Sequence, residues 1–177
     1  MLSLINMEKA EMERYKTVVF AILFITTTAS AADTAINIQG KVIASPCVVN
    51  SDTINKLVEL PKVEARSFSA GSGGDWVDFD LDLENCPVYL KSAVARFSGV
   101  PDENEATMYK NDGSAKNIAL QMSARTTNYG NGSMMKVDVK SSTHSATFPL
   151  SARMYSPKGD VGKGTFSSTV GVDFTYQ

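Results

Sequence analysis

The last fourteen residues, 164–177, constrain the fold of this chain more than any other segment. Side chains at alternate positions are mostly apolar, and period-two alternation over this length predicts a β-strand with one buried face. The inward-facing set is Phe166, Ser168, Val170, Val172, Phe174 and Tyr176. A free chain end normally frays. A terminal strand with this many apolar side chains must therefore be held by its own sheet or by another chain.

A second alternating segment lies near the other end of the chain. Ile36, Ile38, Gly40 and Val42 share one face, and polar or small residues occupy the positions between them. This pattern also predicts a strand. Two such strands at opposite ends of one small domain suggest pairing, either within one chain or between chains.

The segment before this strand has the layout of a secretory signal peptide. Residues 18–25 form a short apolar run, which Arg14 and Lys16 precede and small residues follow. The run is shorter than the roughly 20 residues of a membrane-spanning helix. Small residues predict cleavage after Ala31, with cleavage after Ala32 as the alternative.

Acidic residues before Arg14 are unusual at the basic start of a signal peptide, so we expect Met12 or Met7 to be the true initiator. The mature chain keeps a net charge of about −2, because residues 1–31 hold equal numbers of acidic and basic side chains. Nucleic-acid-binding domains are usually strongly basic, so nucleic acid is not an expected partner.

The two cysteines, Cys47 and Cys86, form an even pair in an exported chain. Such a pair predicts a disulfide, and two free thiols are the alternative.

Short alternating runs separated by glycine, proline, asparagine and aspartate fill the rest of the chain. They occupy residues 56–60, 76–83, 93–97, 117–122, 135–139 and 146–154. Many short strands without a long helical period predict a single all-β domain, a sandwich or barrel. Pro149 lies inside one run, so that strand is expected to be an edge strand or to carry a bulge.

Candidates for chemistry are weak. His144 is the only histidine and lies in a polar stretch, which argues against catalytic or metal chemistry there. The acidic residues between 75 and 84 alternate with apolar ones, which favours a strand with a solvated acidic face over a calcium site. Trp76 is either a sugar-stacking platform or a cover over the end of the sandwich, and we favour the cover.

Several motifs together resemble pilins of the chaperone–usher pathway, the subunits of type 1-like fimbriae. They are GKVIASPC at 40–47, NCP at 85–87, FSG at 97–99, NIALQ at 117–121, FPLSAR at 148–153, and the terminal strand with glycine fourteenth and tyrosine second from the end. Each motif alone is weak, but their order and spacing make the resemblance specific, and it covers residues 32–177.

Within that family the chain looks most similar to the minor G-type tip subunit. The similar parts are residues 32–42, Trp76, residues 85–87 and residues 109–113. The major rod pilin is the alternative.

The resemblance implies an immunoglobulin-like sandwich that lacks its last strand. Such a fold leaves a groove beside the C-terminal strand, and a strand from another chain fills it. A periplasmic chaperone lends that strand first, and the next subunit's N-terminal extension replaces it at an outer-membrane usher. The implied groove and chaperone-binding strand comprises Gly164, Phe166, Ser168, Val170, Val172, Phe174 and Tyr176.

The implied donor strand is made of Thr34, Ile36, Ile38, Gly40 and Val42. By resemblance, Gly40 meets a constriction of the groove, and the alternative for it is a bulge or turn glycine. The chain then divides into a signal peptide (1–31), a donor extension (32–42) and a pilin domain (43–177).

This division predicts a cell-surface structural subunit that is exported through the periplasm. No catalytic activity, cofactor, metal or small-molecule substrate is expected. The alternatives from other classes are a soluble secreted lectin-like module and an exported hydrolase with an unrecognised site.

Overall fold

The computed structural model describes residues 46–177, and in that part the chain folds almost entirely into β-strands. The strands are β1 (Val48–Val49), β2 (Ser72–Gly73), β3 (Val77–Glu84), β4 (Ser92–Ser98), β5 (Tyr109–Lys110), β6 (Ala119–Ala124), β7 (Thr127–Asn128), β8 (Met134–Asp138), β9 (Ala146–Ser156) and β10 (Gly171–Tyr176). One short 3₁₀ helix covers Ala65–Ser67. The prediction of an all-β domain is confirmed.

The strands form two antiparallel sheets that enclose one core. The larger sheet has the order β1-β3-β9-β6-β5, with β2 beside β9 and β7 beside β6. The smaller sheet has the order β10-β4-β8. Phe97 of the smaller sheet and Leu83 and Phe148 of the larger one are fully buried between them. The core also buries Tyr109, and this burial raises the pKa of its phenol to about 12.

Strand β3 shows how the alternating pattern sets the two faces of a sheet. Leu81 and Leu83 are buried in the core, while Asp78 and Asp82 point outward. The Ser151 hydroxyl donates to Asp78 at 2.6 Å, and the Thr147 hydroxyl donates to Asp82 at 2.7 Å. The acidic residues therefore form a solvated outer face that hydroxyls of β9 support.

The environment of Pro149 explains how a proline fits into the long strand β9. This strand lies between β3 and β6, so it is not an edge strand over its whole length. However, β6 pairs only with the second half of β9, and the last pair joins Ser123 to Ser151. Within residues 46–177, the only sheet neighbour of Pro149 is Asp80 of β3. Locally this is an edge, which is where a residue without an N–H is tolerated.

The C-terminal strand is shorter than the sequence predicts. Strand β10 begins at Gly171, whose partner Ser98 is the last residue of β4. Earlier residues therefore find no strand partner in the described part of the chain. The preceding residues are instead hydrogen-bonded to a loop. The backbone N–H of Asp112 donates to the Ser167 carbonyl at 2.7 Å, and the backbone N–H of Ala115 donates to the Thr165 carbonyl at 3.0 Å. One continuous strand from Gly164 was therefore a wrong expectation.

The alternation of side chains nevertheless continues through this loop-bound segment. Phe166, Ser168 and Val170 are half-buried, and the residues between them are exposed. The predicted face is therefore present, although hydrogen bonds to a loop hold its first half.

Candidate functional site

In the part of the chain that the structure describes, strand β10 has a sheet neighbour on one side only. Its six residues pair with β4 from Gly171–Ser98 to Tyr176–Ala93. Within residues 46–177 no strand pairs with its other edge. An edge with unpaired N–H and C=O groups is a template for a further strand.

The inner face of β10 is apolar but incompletely covered. Val172, Phe174 and Tyr176 pack against the core cluster, yet each remains half-exposed. The Phe174 ring lies 5.4 Å from the ring of Phe148. Burial raises the pKa of Tyr176 above its ordinary value. Ser168 lies on the same face and contributes a small side chain.

Residues 56–63 form a second segment on the same core that has no strand partner among residues 46–177. The sequence predicts a strand at 56–60, and the structure assigns none there. Val58 and Leu60 are half-buried against the core, whereas Leu57 and Glu59 are exposed. Sequence reasoning missed this segment as part of the site, although its alternating pattern was visible.

Residues 63–68 and 161–166 meet at a cavity of 540 Å³. Its apolar lining comes from Val63, Phe68, Ile118, Met154 and Phe166. The end of the 56–63 segment and the start of the C-terminal segment therefore border one open space. Both segments contribute to its lining, and we take the space between them as the candidate groove.

Gly164 allows close contact between backbones at this end. A Cβ atom there would clash with the backbone of Ala115 and the side chain of Ser114. The Ser114 hydroxyl also accepts a hydrogen bond from the N–H of Thr165 at 2.9 Å. The glycine is therefore required where the C-terminal segment crosses the loop, a reason that alternation alone does not reveal.

The chain end is fixed by hydrogen bonds to the start of β4. The N–H groups of Lys91 and Ser92 donate to the carbonyl oxygen of Gln177 at 2.8 and 3.0 Å. The Gln177 N–H donates to the Ser92 carbonyl at 2.9 Å, and the Lys136 ammonium donates to the Gln177 side-chain oxygen at 3.1 Å. These bonds explain how an apolar terminal strand avoids fraying.

The disulfide is present, as the sequence predicts. It joins Cys47 to Cys86, which precede β1 and follow β3, respectively. The loop that it closes spans 39 positions and contains the 56–63 segment. The disulfide thus fixes both ends of the chain stretch that forms one side of the groove.

The predicted donor residues, Thr34, Ile36, Ile38, Gly40 and Val42, lie outside the described residues, as does the signal peptide.

The weak chemical candidates take structural positions. His144 lies in a turn with a φ of 51°, and its carbonyl accepts the Cys86 N–H at 2.9 Å. Within residues 46–177 no three His, Cys, Asp or Glu side chains are grouped so that they could hold a metal ion. No helix in this part is long and apolar enough to cross a bilayer.

Trp76 is 40% exposed and lies on the outer face of the larger sheet. The Arg153 guanidinium lies 4.2 Å from its ring centroid. The Nε of Arg153 donates to Gln121 at 2.7 Å, and the amide of Gln121 donates to Asn128 at 2.9 Å. Trp76 therefore takes part in an ordered stack on the surface, which sequence reasoning did not foresee.

Comparisons with known proteins agree with this geometry. Residues 36–177 match the family model described as "Fimbrial protein". Over 162 residues the chain is 38% identical to Protein FimG of Escherichia coli K12, an alignment that covers 90% of this chain and 95% of FimG. It is 32% identical over 167 residues to the uncharacterized fimbrial-like protein YdeR of the same strain, covering 93% and 97% of the two chains.

The fold is also shared with a solved pilin structure. The crystal structure of the P pilus rod subunit PapA superposes with a TM-score of 0.65 at 17% identity, covering 75% of this chain and all of PapA. The expected incomplete immunoglobulin-like sandwich is thereby confirmed. The chain is exported through the periplasm to the cell surface. It belongs to the fimbrial protein family and is a structural subunit of a fimbria.

Proposed function

We propose that this subunit is a minor adaptor near the tip of a chaperone–usher fimbria, where it joins two neighbours by donor-strand exchange. The similarity to FimG along nearly the whole chain supports the adaptor role over that of a major rod pilin. The resemblance of residues 32–42 and 109–113 to G-type tip subunits supports it further.

The observation that carries the proposal is the open edge of β10 above a half-covered apolar face. Phe174 and Tyr176 contact the core but keep part of their surface exposed. A strand laid along this edge would gain backbone hydrogen bonds and cover those side chains, which is β-strand addition. The unpaired segment 56–63 provides the second side of the groove.

The donor half of the joint is the extension formed by residues 32–42. Burying Ile36, Ile38 and Val42 in a neighbour's groove would contribute roughly 5–9 kcal/mol, at about 1.5–3 kcal/mol per side chain. Backbone hydrogen bonds add about 0.5–1.5 kcal/mol each, and the entropy of ordering the extension opposes them. Gly40 leaves room where, by resemblance, the groove is constricted.

Assembly of this kind requires specific partners. A periplasmic chaperone holds the groove before exchange, an outer-membrane usher admits the subunit to the fibre, and pilins precede and follow it. Cleavage after Ala31 exposes the extension, and residues 43–177 form the pilin domain. We propose no catalytic step, in keeping with a family of structural subunits.

The acceptor half is tested by co-purifying the mature chain with its fimbrial chaperone from the periplasm. The wild type should form a stable one-to-one complex, and without the chaperone it should be less stable and therefore more readily degraded in the periplasm. Phe174→Asp should abolish the complex, because a charge enters the groove wall. Thr175→Asp places the same charge on the exposed face of β10 and serves as the control. A chain that gains no stability from the chaperone would refute the open-groove model.

The donor half is tested with Ile36→Asp combined with Ile38→Asp. This variant should still bind the chaperone through its own groove but should not enter the next subunit. Asn37→Asp, on the other face of the extension, is the matched control. Normal incorporation of the double variant into fibres would exclude the assigned donor strand.

A further inference from the structure

We propose that an exposed apolar patch at the base of the extension packs against the body of the subunit that receives the extension. This patch, the root patch, consists of Val48, Val88 and Tyr89. The inference rests on the proposed donor-strand function and adds a second contact to the joint.

The root patch is apolar and unusually open. Val88 is 75% exposed, Tyr89 55% and Val48 54%. Val88 and Tyr89 lie in the turn that the Leu90 N–H closes on the Pro87 carbonyl at 3.0 Å. Apolar side chains that are exposed near one another mark a contact surface more often than isolated ones do.

Covalent connections hold the patch next to the start of the folded domain. The Cα atoms of Cys47 and Cys86 are 4.2 Å apart. Val48 directly follows the first cysteine, and Val88 lies two residues after the second. Since consecutive Cα atoms are about 3.8 Å apart, every patch residue lies within about 12 Å of a disulfide-linked cysteine.

The length of the connection brings the receiving subunit to this surface. The proposed donor strand ends at Val42, and only residues 43–46 separate it from Cys47. Even fully extended, the five steps from Val42 to Cys47 span at most about 17 Å. The end of the neighbour's groove must therefore lie within this distance of the disulfide, close to the root patch.

The short connection also makes a small patch effective. Three side chains are too few to hold two separate proteins together, since stable interfaces bury more than about 1,000 Å². A linked contact, however, acts at an effective concentration in the millimolar range or higher. The patch would therefore slow dissociation of the joint and restrict bending between neighbouring subunits.

The experiment compares two donors on one acceptor. The acceptor is a second copy of the mature chain that carries Ile36→Asp and Ile38→Asp and is delivered with its fimbrial chaperone. The donors are the full mature chain and a synthetic peptide of residues 32–45. Dissociation rates are measured in denaturant and extrapolated to water.

The intact donor should dissociate about tenfold or more slowly than the peptide, corresponding to partial burial of a few apolar side chains. Val88→Ser combined with Val48→Thr should bring its rate close to that of the peptide. Val100→Ser is the matched control, because Val100 is 61% exposed and follows the opposite end of β4. An unchanged thermal unfolding midpoint verifies the fold of each variant.

The outcomes separate this inference from the function on which it rests. If neither the peptide nor the intact chain binds the acceptor, a second copy is not a receiving subunit, and both the donor-strand joint between copies and the root-patch contact are refuted. If the peptide binds but the wild-type and patch-variant donors dissociate equally fast, the root patch is not part of the joint. If the variant instead weakens only the chaperone complex, the patch belongs to the chaperone interface and the inference is wrong.

Discussion

Strands β9 and β10 present alternating faces to the same core, yet the two faces differ in burial. On β9, Phe148 and Leu150 are almost completely buried, whereas Val172 and Phe174 on β10 remain half-exposed. Within residues 46–177, Phe148 and Leu150 have a strand neighbour on one side only, as Val172 and Phe174 do. The difference lies across the core: β9 lies against β4 and β8 of the facing sheet, whereas no described strand of the facing sheet lies as close to β10. Cover from the facing layer, rather than lateral neighbours or the hydrophobicity of the strand itself, therefore determines how completely these two faces are buried.

The contrast between Phe148 and Phe174, whose rings are in contact, can be measured directly. Phe148→Ala should lower the free energy of unfolding by about 3–5 kcal/mol, with or without a donor strand, because the site is already closed. Phe174→Ala should cost clearly less in the chain alone and more once a peptide of residues 32–45 is bound. Denaturant unfolding of both variants, with and without peptide, provides the four values.

Equal costs for the two variants in the chain alone would contradict the contrast. They would mean that the β10 face is already closed, and the open-groove model would fail with it.

The disulfide provides a second way to sharpen the comparison, because its loop contains residues 56–63 and does not contain β10. Replacing Cys47 and Cys86 by serine should lower the free energy of unfolding by about 4 kcal/mol on the chain-entropy model. The folded double-serine variant should also bind the donor peptide more weakly, because the disulfide no longer closes the loop that contains residues 56–63. Peptide affinity with and without reductant measures this effect. Unchanged affinity would show that β10 alone forms the binding edge.

Much of this architecture could be predicted from the sequence, and the reasons are local. Alternation in residues 77–84 identifies β3 and its acidic face, because side chains in a strand alternate regardless of partner. The apolar face of 166–176 was predicted on similarly local grounds. The disulfide was predicted differently, because the chain has only two cysteines and the sequence indicates export.

What the sequence could not predict depends on non-local pairing. The point where β10 begins follows from where β4 ends, at the pair Gly171–Ser98. The place of Pro149 depends on how far β6 extends along β9. Residues 56–60 alternate like a strand but have no strand partner among the described residues. Pairing of this kind is a property of the fold, which alternation within one segment does not encode.

Tyr109 in the closed core and Tyr176 in the groove should respond differently to pH. Burial raises the pKa of Tyr109 to about 12, above the ordinary value near 10. The stabilisation from its neutral form is therefore complete below pH 10 and is lost between about pH 10 and 12, where the unfolded chain ionises first. Tyr176 also has a raised pKa, because it is partly buried.

Absorbance at 295 nm against pH follows these tyrosines, with Tyr109→Phe and Tyr176→Phe to assign them. Donor peptide should raise the pKa of Tyr176 further, because the bound strand removes water from the groove, and should leave Tyr109 unchanged. A shift of Tyr109 alone would place the peptide elsewhere.

The smallest effect is expected on the outer face of β9, where Arg153 stacks on Trp76. Arg153→Met keeps most of the aliphatic stem and removes the cation, so it should lower the free energy of unfolding by about 0.5–1 kcal/mol. Thermal unfolding measures this loss, and Gln121→Glu is a useful companion, because a carboxylate keeps an acceptor for Arg153. Donor-peptide affinity should not change in either variant. If it fell, the outer face would communicate with the groove, and burial of the inner face alone would no longer explain why β10 accepts a strand and β9 does not.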